Sequence, residues 1–166
     1  MRRLWDISNF VRGLRIQLRF GELSRAPLRL LRLEMYNDTV ECDWMARPPD
    51  PWDSDLSPSV SGRHVSMQAL EDAIAIRELL FRLLPDVETG VLRVFRPGSE
   101  GDIELIISGT VAREQLATRH FHSVAMRAKL LGLQFWLEDG NLAAMLPQIQ
   151  AMDLRAEEVS AVAVEK

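Results

Sequence analysis

The alternation of apolar and polar positions divides this chain into strand-like and helix-like stretches separated by turn chemistry. The strongest helical pattern lies between Ser66 and Pro85. Leu70, Ala73, Ile74, Arg77, Leu80, Phe81 and Leu84 recur at helical spacing, and Ile76, Leu79 and Leu83 widen the apolar face. This spacing predicts a helix over 67–84, capped by Ser66, stopped by Pro85 and covered on more than one side.

Upstream, Leu28–Tyr36 alternates with a change of phase between Leu30 and Leu31, as a β-bulge produces. Asn37-Asp38-Thr39 is turn chemistry, because Asn and Asp tolerate left-handed backbone. Val40, Cys42 and Trp44 then alternate with Glu41 and Asp43, which predicts the return strand of a hairpin with the first three facing inward. Residues 3–20 carry two patterns. Leu4, Ile7, Val11, Leu14 and Leu18 share a helical face, whereas Leu14, Ile16, Leu18 and Phe20 alternate as in a strand. With Gly13 as a joint, they read as a helix over 3–12 and a strand over 14–20, then a turn over 21–26 and an edge strand opened by Pro27.

Downstream, residues 91–96 and 103–111 flank the turn Pro97-Gly98-Ser99-Glu100-Gly101 and form a second hairpin. A helix is expected over 116–131, ended by Gly132. Residues 133–138 and 141–146 flank Asp139-Gly140, a pair suited to a type I′ turn. Pro147 breaks the pattern, and the tail 148–166 reads as a terminal helix or a disordered end. This order predicts an α+β fold: a mainly antiparallel sheet built from hairpins that alternate with two main helices packed on one face. It fits a single domain over 1–147, with 1–26 able to stand apart as an N-terminal arm.

Composition supports a globular reading, with 47% apolar and 27% charged residues in 166. A net charge of −4 disfavours a general polyanion binder, so nucleic acid is not the expected partner. The charge is unevenly spread. Residues 1–35 hold eight arginines against Asp6, Glu22 and Glu34, a net +5; residues 36–60 hold six acidic residues against Arg47, a net −5. Such blocks suit pairing within the chain or between copies of it, hence a homo-oligomer. Eighteen arginines to two lysines is a bacterial-like composition, as GC-rich coding gives. Cys42 is the lone cysteine, so no intrachain disulfide forms. No run has the length of a membrane span, and Asp6, Ser8 and Asn9 interrupt any secretory apolar core near the amino terminus. The chain reads as cytoplasmic.

Candidate chemistry concentrates between Arg47 and Val65, where Pro48, Pro49, Pro51 and Pro58 predict a long irregular loop. Within it, Trp52 flanked by Asp50, Asp53 and Asp55, with Arg47 nearby, suits a cationic or arginine-bearing partner, because an aromatic face rimmed by carboxylates attracts positive charge. Arg12, Arg15 and Arg19 form the matching N-terminal contact surface. No catalytic residue, metal ligand or cofactor is assigned. His120 and His122 point to different faces of the expected helix, Ser108-Gly109-Thr110 lacks the nucleophile-elbow pattern, and Cys42 faces inward. The pattern therefore predicts a non-enzymatic protein-interaction or binding module, self-associating through its Arg-rich segment and acidic Trp-Pro loop. The alternatives are a small enzyme using convergent carboxylates and histidines, and a binder of RNA or a membrane surface through the basic amino terminus.

Overall fold

The computed structural model describes residues 7–12, 28–49, 51–114 and 121–145. The expected strand over 14–20, the turn over 21–26 and the tail over 148–166 lie outside the described residues. The fold is α+β. Strands β1 (Arg29–Tyr36), β2 (Thr39–Met45), β3 (Thr89–Pro97), β4 (Ile103–Ala112) and β5 (Leu133–Gln134) form one mostly antiparallel sheet in the order β1-β2-β3-β4-β5. Helices α1 (Pro58–Leu83) and α2 (Val124–Leu130) pack with it, and β6 (Leu137–Glu138) pairs with β7 (Asn141–Leu142) in a separate ribbon.

The first hairpin forms as the sequence pattern predicts. Asn37 takes the left-handed turn position at φ 56°, and the register shifts between Leu30 and Arg32. That bulge keeps Leu30 opposite Trp44 and Leu33 opposite Cys42, so apolar residues remain on one face across the change of phase. Val40, Cys42 and Trp44 are fully buried there. The indole Nε1 of Trp44 has no hydrogen-bond partner among the described residues, so its burial there is favoured by packing and opposed by a polar cost.

Between β2 and β3 the pairing is parallel, Thr39 to Met45 running beside Thr89 to Phe95. Parallel neighbours need a crossover, and α1 supplies it. The carboxyl ends of β2 and β3 therefore emerge together, on the side where α1 begins. Alternate positions of β2, β3 and β4 bury Val40, Leu92, Val94 and Ile107 against Leu70, Ala73, Ile76 and Leu80 of α1. Each large apolar side chain fully buried in this way contributes about 1.5–3 kcal/mol. Phe10, in the helical segment 7–12, joins the same core at 0% exposure.

Helix α1 begins at Pro58, eight residues ahead of the expected cap Ser66. Proline fits the first helical position, where its missing N–H is not needed, so Pro58 opens the helix that its breaker character argued against. The expected loop over 47–65 is shorter as a result and holds a 3-10 helix at Pro51–Asp55. Ser66 is buried inside α1, where its Oγ accepts the Leu142 N–H at 2.8 Å. At the other end of α1, Arg113 donates to the carbonyls of Phe81 and Leu84, both at 2.7 Å, and to that of Val87 at 2.9 and 2.7 Å. A helix leaves its last carbonyls without intrahelical partners, and this guanidinium takes up that of Phe81 together with those of the cap residue Leu84 and of Val87 beyond it.

The second helix is shorter than its pattern suggested. Residues 121–123 are not helical; α2 begins after Ser123, whose Oγ accepts the Met126 N–H at 3.2 Å. Gly132 follows with φ 102°. A Cβ on Gly109 would stand 2.3 Å from the Gly132 carbonyl oxygen, so glycine is what allows β5 to approach β4. The stretch 133–138 is two short strands instead of one, because Leu133–Gln134 joins the main sheet and only Leu137–Glu138 turns back. Among the described residues, the return strand covers Asn141–Leu142. Asp139 at φ 52° and Gly140 at φ 81° form the predicted left-handed turn. Among the described residues, no helix is long and apolar enough to cross a membrane.

Candidate binding cavity

A cavity of about 690 Å³ lies where the parallel pair ends. Ala46 donates its N–H to the Phe95 carbonyl at 2.7 Å, which keeps the chain beside β3 as it leaves β2. Pro48 and Pro49 then turn into solvent and form one wall. The first two turns of α1 form a second wall through Pro58, Ser61, Gly62 and Val65. Arg96, Pro97 and Ile106 close it from β3 and β4, and Arg29 stands at the start of β1.

The β6–β7 ribbon adds a further wall through Asn141. Leu142 is held from both sides, its N–H by Ser66 Oγ and its carbonyl oxygen by Arg96 Nη1. Two glycines stand at the contact with α1, each facing a side chain that can move. A Cβ on Gly62 would lie 2.2 Å from Asn141 Oδ1, and one on Gly140 would lie 2.7 Å from Arg63 Cδ. The cavity walls are thus set by α1, the β2 exit and the ribbon, three parts of the chain brought together by folding.

The lining is mostly aliphatic. Met45, Ala46, Val65, Ile106 and four prolines supply it, with no aromatic ring among the described lining residues. Polar groups are few. Ser66 Oγ is engaged by Leu142, which leaves Ser61 and Asn141 beside the three arginines. No aspartate, glutamate, histidine, cysteine or tyrosine is among the described lining residues. General acid–base or nucleophilic chemistry needs such a group within hydrogen-bond reach of the reacting atom.

Two of the three arginines are already neutralised. Arg47 is 6% exposed and grips Asp72 through two bonds, Nε to Oδ2 at 2.9 Å and Nη2 to Oδ1 at 2.6 Å. Gln68 adds a third donor to Asp72 at 2.8 Å. Arg96 pairs with Glu104 at 3.0 Å. Arg29 is exposed and makes no hydrogen bond or ion pair among the described residues.

The opposite sheet face carries a separate ionic row. Asp43, 5% exposed, accepts from Arg32 Nε at 3.1 Å and from Arg93 Nε and Nη2 at 3.0 and 2.7 Å. Arg32 also reaches Glu41 and Glu34. With both carboxylate oxygens engaged by guanidinium groups, Asp43 serves cross-strand cohesion. Beside this row, hydrogen bonding to Glu41, with a smaller contribution from burial, pushes the Tyr36 phenol up to about 12.

The structure describes only some of the residues that the sequence grouped into one site. Arg47 lines the cavity, but its guanidinium is committed to Asp72. Asp53 and Asp55 belong to the 3-10 helix, and Asp53 meets exposed His64 at 3.3 Å, a solvated pair worth little. Asp50 and the side chain of Trp52 lie outside the described residues. Arg12 is exposed on the 7–12 segment, while Arg15 and Arg19 also lie outside. His122 is exposed ahead of α2, and His120 lies outside. No group of three metal-ligating side chains occurs among the described residues. Arg29, Arg96, Val65 and Ile106 were not singled out in the sequence, and nothing local marks them, since the cavity exists only after β2, β3 and α1 converge. Comparison with protein-family models, with curated proteins and with solved structures finds no match.

Proposed function

We propose that this chain is a non-enzymatic binding module whose ligand seat is the cavity at the ends of β2 and β3. The observation that carries the reading is a half-open, mostly aliphatic space of about 690 Å³ without an acid, base or nucleophile among its described lining residues. Its size falls within the roughly 300–1,000 Å³ of small-molecule sites, and few polar groups placed in an apolar lining is the usual composition of such sites. Its position, at the carboxyl ends of parallel strands and beside the start of the crossover helix, is where α/β units generally take ligands. A lone buried cysteine suits a reducing cytoplasm.

The test is a nuclear magnetic resonance titration of labelled protein with a chemically diverse set of small fragments. Binders are expected to shift Met45, Ala46, Val65 and Ile106, and the Ser61→Phe variant, which fills the cavity from the helix side, is expected to lose those shifts. A set that produces no shifts at these residues overturns the reading.

A second reading, protein contact with self-association, is favoured by the exposure of Trp136 at 59% next to Leu137 at 40%. Large exposed aromatics are over-represented at the centres of interfaces. Light scattering of the intact chain tests it: a species larger than a monomer that Trp136→Ala dissociates supports it, and a monomer at every concentration and salt level removes it.

A further inference from the structure

The chemistry of the lining narrows what the cavity can hold. Among the described lining residues there is no aromatic ring for a planar ligand to stack on, and there are few hydrogen-bonding groups to read a sugar or a nucleobase. Methyl, methylene and pyrrolidine surface dominates, which suits a flexible aliphatic body. At the rim the charge is one-signed. Arg29, Arg47 and Arg96 line the cavity, and no carboxylate does among the described residues.

Of those three, Arg47 and Arg96 already bind Asp72 and Glu104, so their positive charge is offset inside the protein. Arg29 is the one without a protein partner among the described residues. A single unneutralised guanidinium matches a single negative charge, and its planar fork matches a carboxylate through two parallel bonds. Pro58, the first residue of α1, also lines the cavity, and the first turn of that helix carries no acidic residue. The positive end of a 26-residue helix thus adds to the same potential.

We infer that the ligand of this cavity is an unbranched aliphatic monocarboxylate, its chain among Met45, Val65, Ile106 and the prolines and its carboxylate on Arg29. The inference rests on the cavity being a ligand seat and goes further by naming the ligand class. A decylammonium ion would meet three guanidinium groups, and decanol would leave Arg29 without its counter-charge. Chain length sets affinity through the apolar wall, each added methylene tightening Kd about fourfold.

Isothermal titration calorimetry of the intact chain with octanoate, decanoate, dodecanoate, decanol and decylammonium separates these claims. The expected result is decanoate at least tenfold tighter than decanol, with decylammonium weaker still. Affinity should rise about fourfold per methylene along the carboxylate series. Arg29→Gln, at an exposed position that does not disturb the core, should cost decanoate about tenfold and decanol nothing, because it removes one charge-assisted contact. Decanol or decylammonium matching decanoate overturns the carboxylate assignment and leaves the cavity as a seat for another ligand. Absence of binding by every aliphatic probe, while fragments still shift cavity residues, also overturns it. Decanoate binding that Ser61→Phe leaves intact places the site elsewhere and sinks this inference, while the fragment titration decides the reading beneath it.

Discussion

Arg47 and Asp72 give the sharpest test of how this fold is held together. Their side chains are 4% and 2% exposed, and two bonds of 2.9 and 2.6 Å join them across 25 positions of sequence. Arg47→Met keeps much of the side-chain volume and removes the charge. Asp72 is then left buried with Gln68 as its one donor among the described residues. Removing one partner of a buried ion pair costs about 3–5 kcal/mol, because the remaining charge loses its compensation. That is a large share of the roughly 5–15 kcal/mol by which domains are stable. With a urea dependence of about 2 kcal/mol per molar, the midpoint should fall by about 2 M. Fluorescence of the four tryptophans, one of them the fully buried Trp44, reports the transition. Replacing both partners, Arg47→Met with Asp72→Leu, should recover most of the loss, since an apolar pair has no charge to desolvate. A cost below about 1 kcal/mol for the single variant would refute the reasoning. So would a double variant as unstable as the single, because the damage would then come from packing and not from an orphaned charge.

The remaining predictions concern single groups. Arg113→Met should destabilise the fold by about 2 kcal/mol, since it leaves the carbonyls of Phe81, Leu84 and Val87 without this donor, and Arg113→Lys should restore only part because a compact ammonium lacks the spread of the planar fork that spans all three. Denaturation midpoints for both variants within experimental error of the wild type would count against the capping role. Burial pushes the Cys42 thiol up, so a thiol reagent at pH 8 should leave the folded chain unmodified and react at once in denaturant; prompt native labelling would contradict its place in the core. Tyr36, the one tyrosine of the chain, should titrate by ultraviolet absorbance near 12, and Glu41→Gln should bring it back toward 10. Its folded pKa lies above the unfolded value, so any stability it adds is present below pH 10 and is lost as pH rises toward 12; equal midpoints in both proteins would show that Glu41 is not the cause.

Features that depend on a few consecutive residues were legible in the sequence alone. The left-handed turns at Asn37 and at Asp139-Gly140, the bulge after Leu30, the inward row Val40-Cys42-Trp44 and the apolar stripe of α1 all follow from local backbone preference or from periodicity, and each is where the pattern puts it. Those signals, with their order along the chain, were enough to fix the α+β class. The start of α1 was not legible, because Pro58 breaks a helix from inside and opens one at its first position, and local pattern does not say which applies.

Only the tertiary structure decided the rest, since it depends on which distant segments meet. Parallel pairing of β2 with β3 leaves no mark on either strand's alternation, yet it brings their carboxyl ends beside the start of α1. Arg47 entered the sequence analysis as part of a binding loop beside Trp52, and in the fold it holds Asp72, 25 positions away. Asp43 is likewise bound by Arg93, 50 positions away. Charge patterning along the chain shows which groups are available to pair, and the path of the backbone chooses the partners. That choice closes the cavity and leaves Arg29, of its three arginines, without a partner among the described residues.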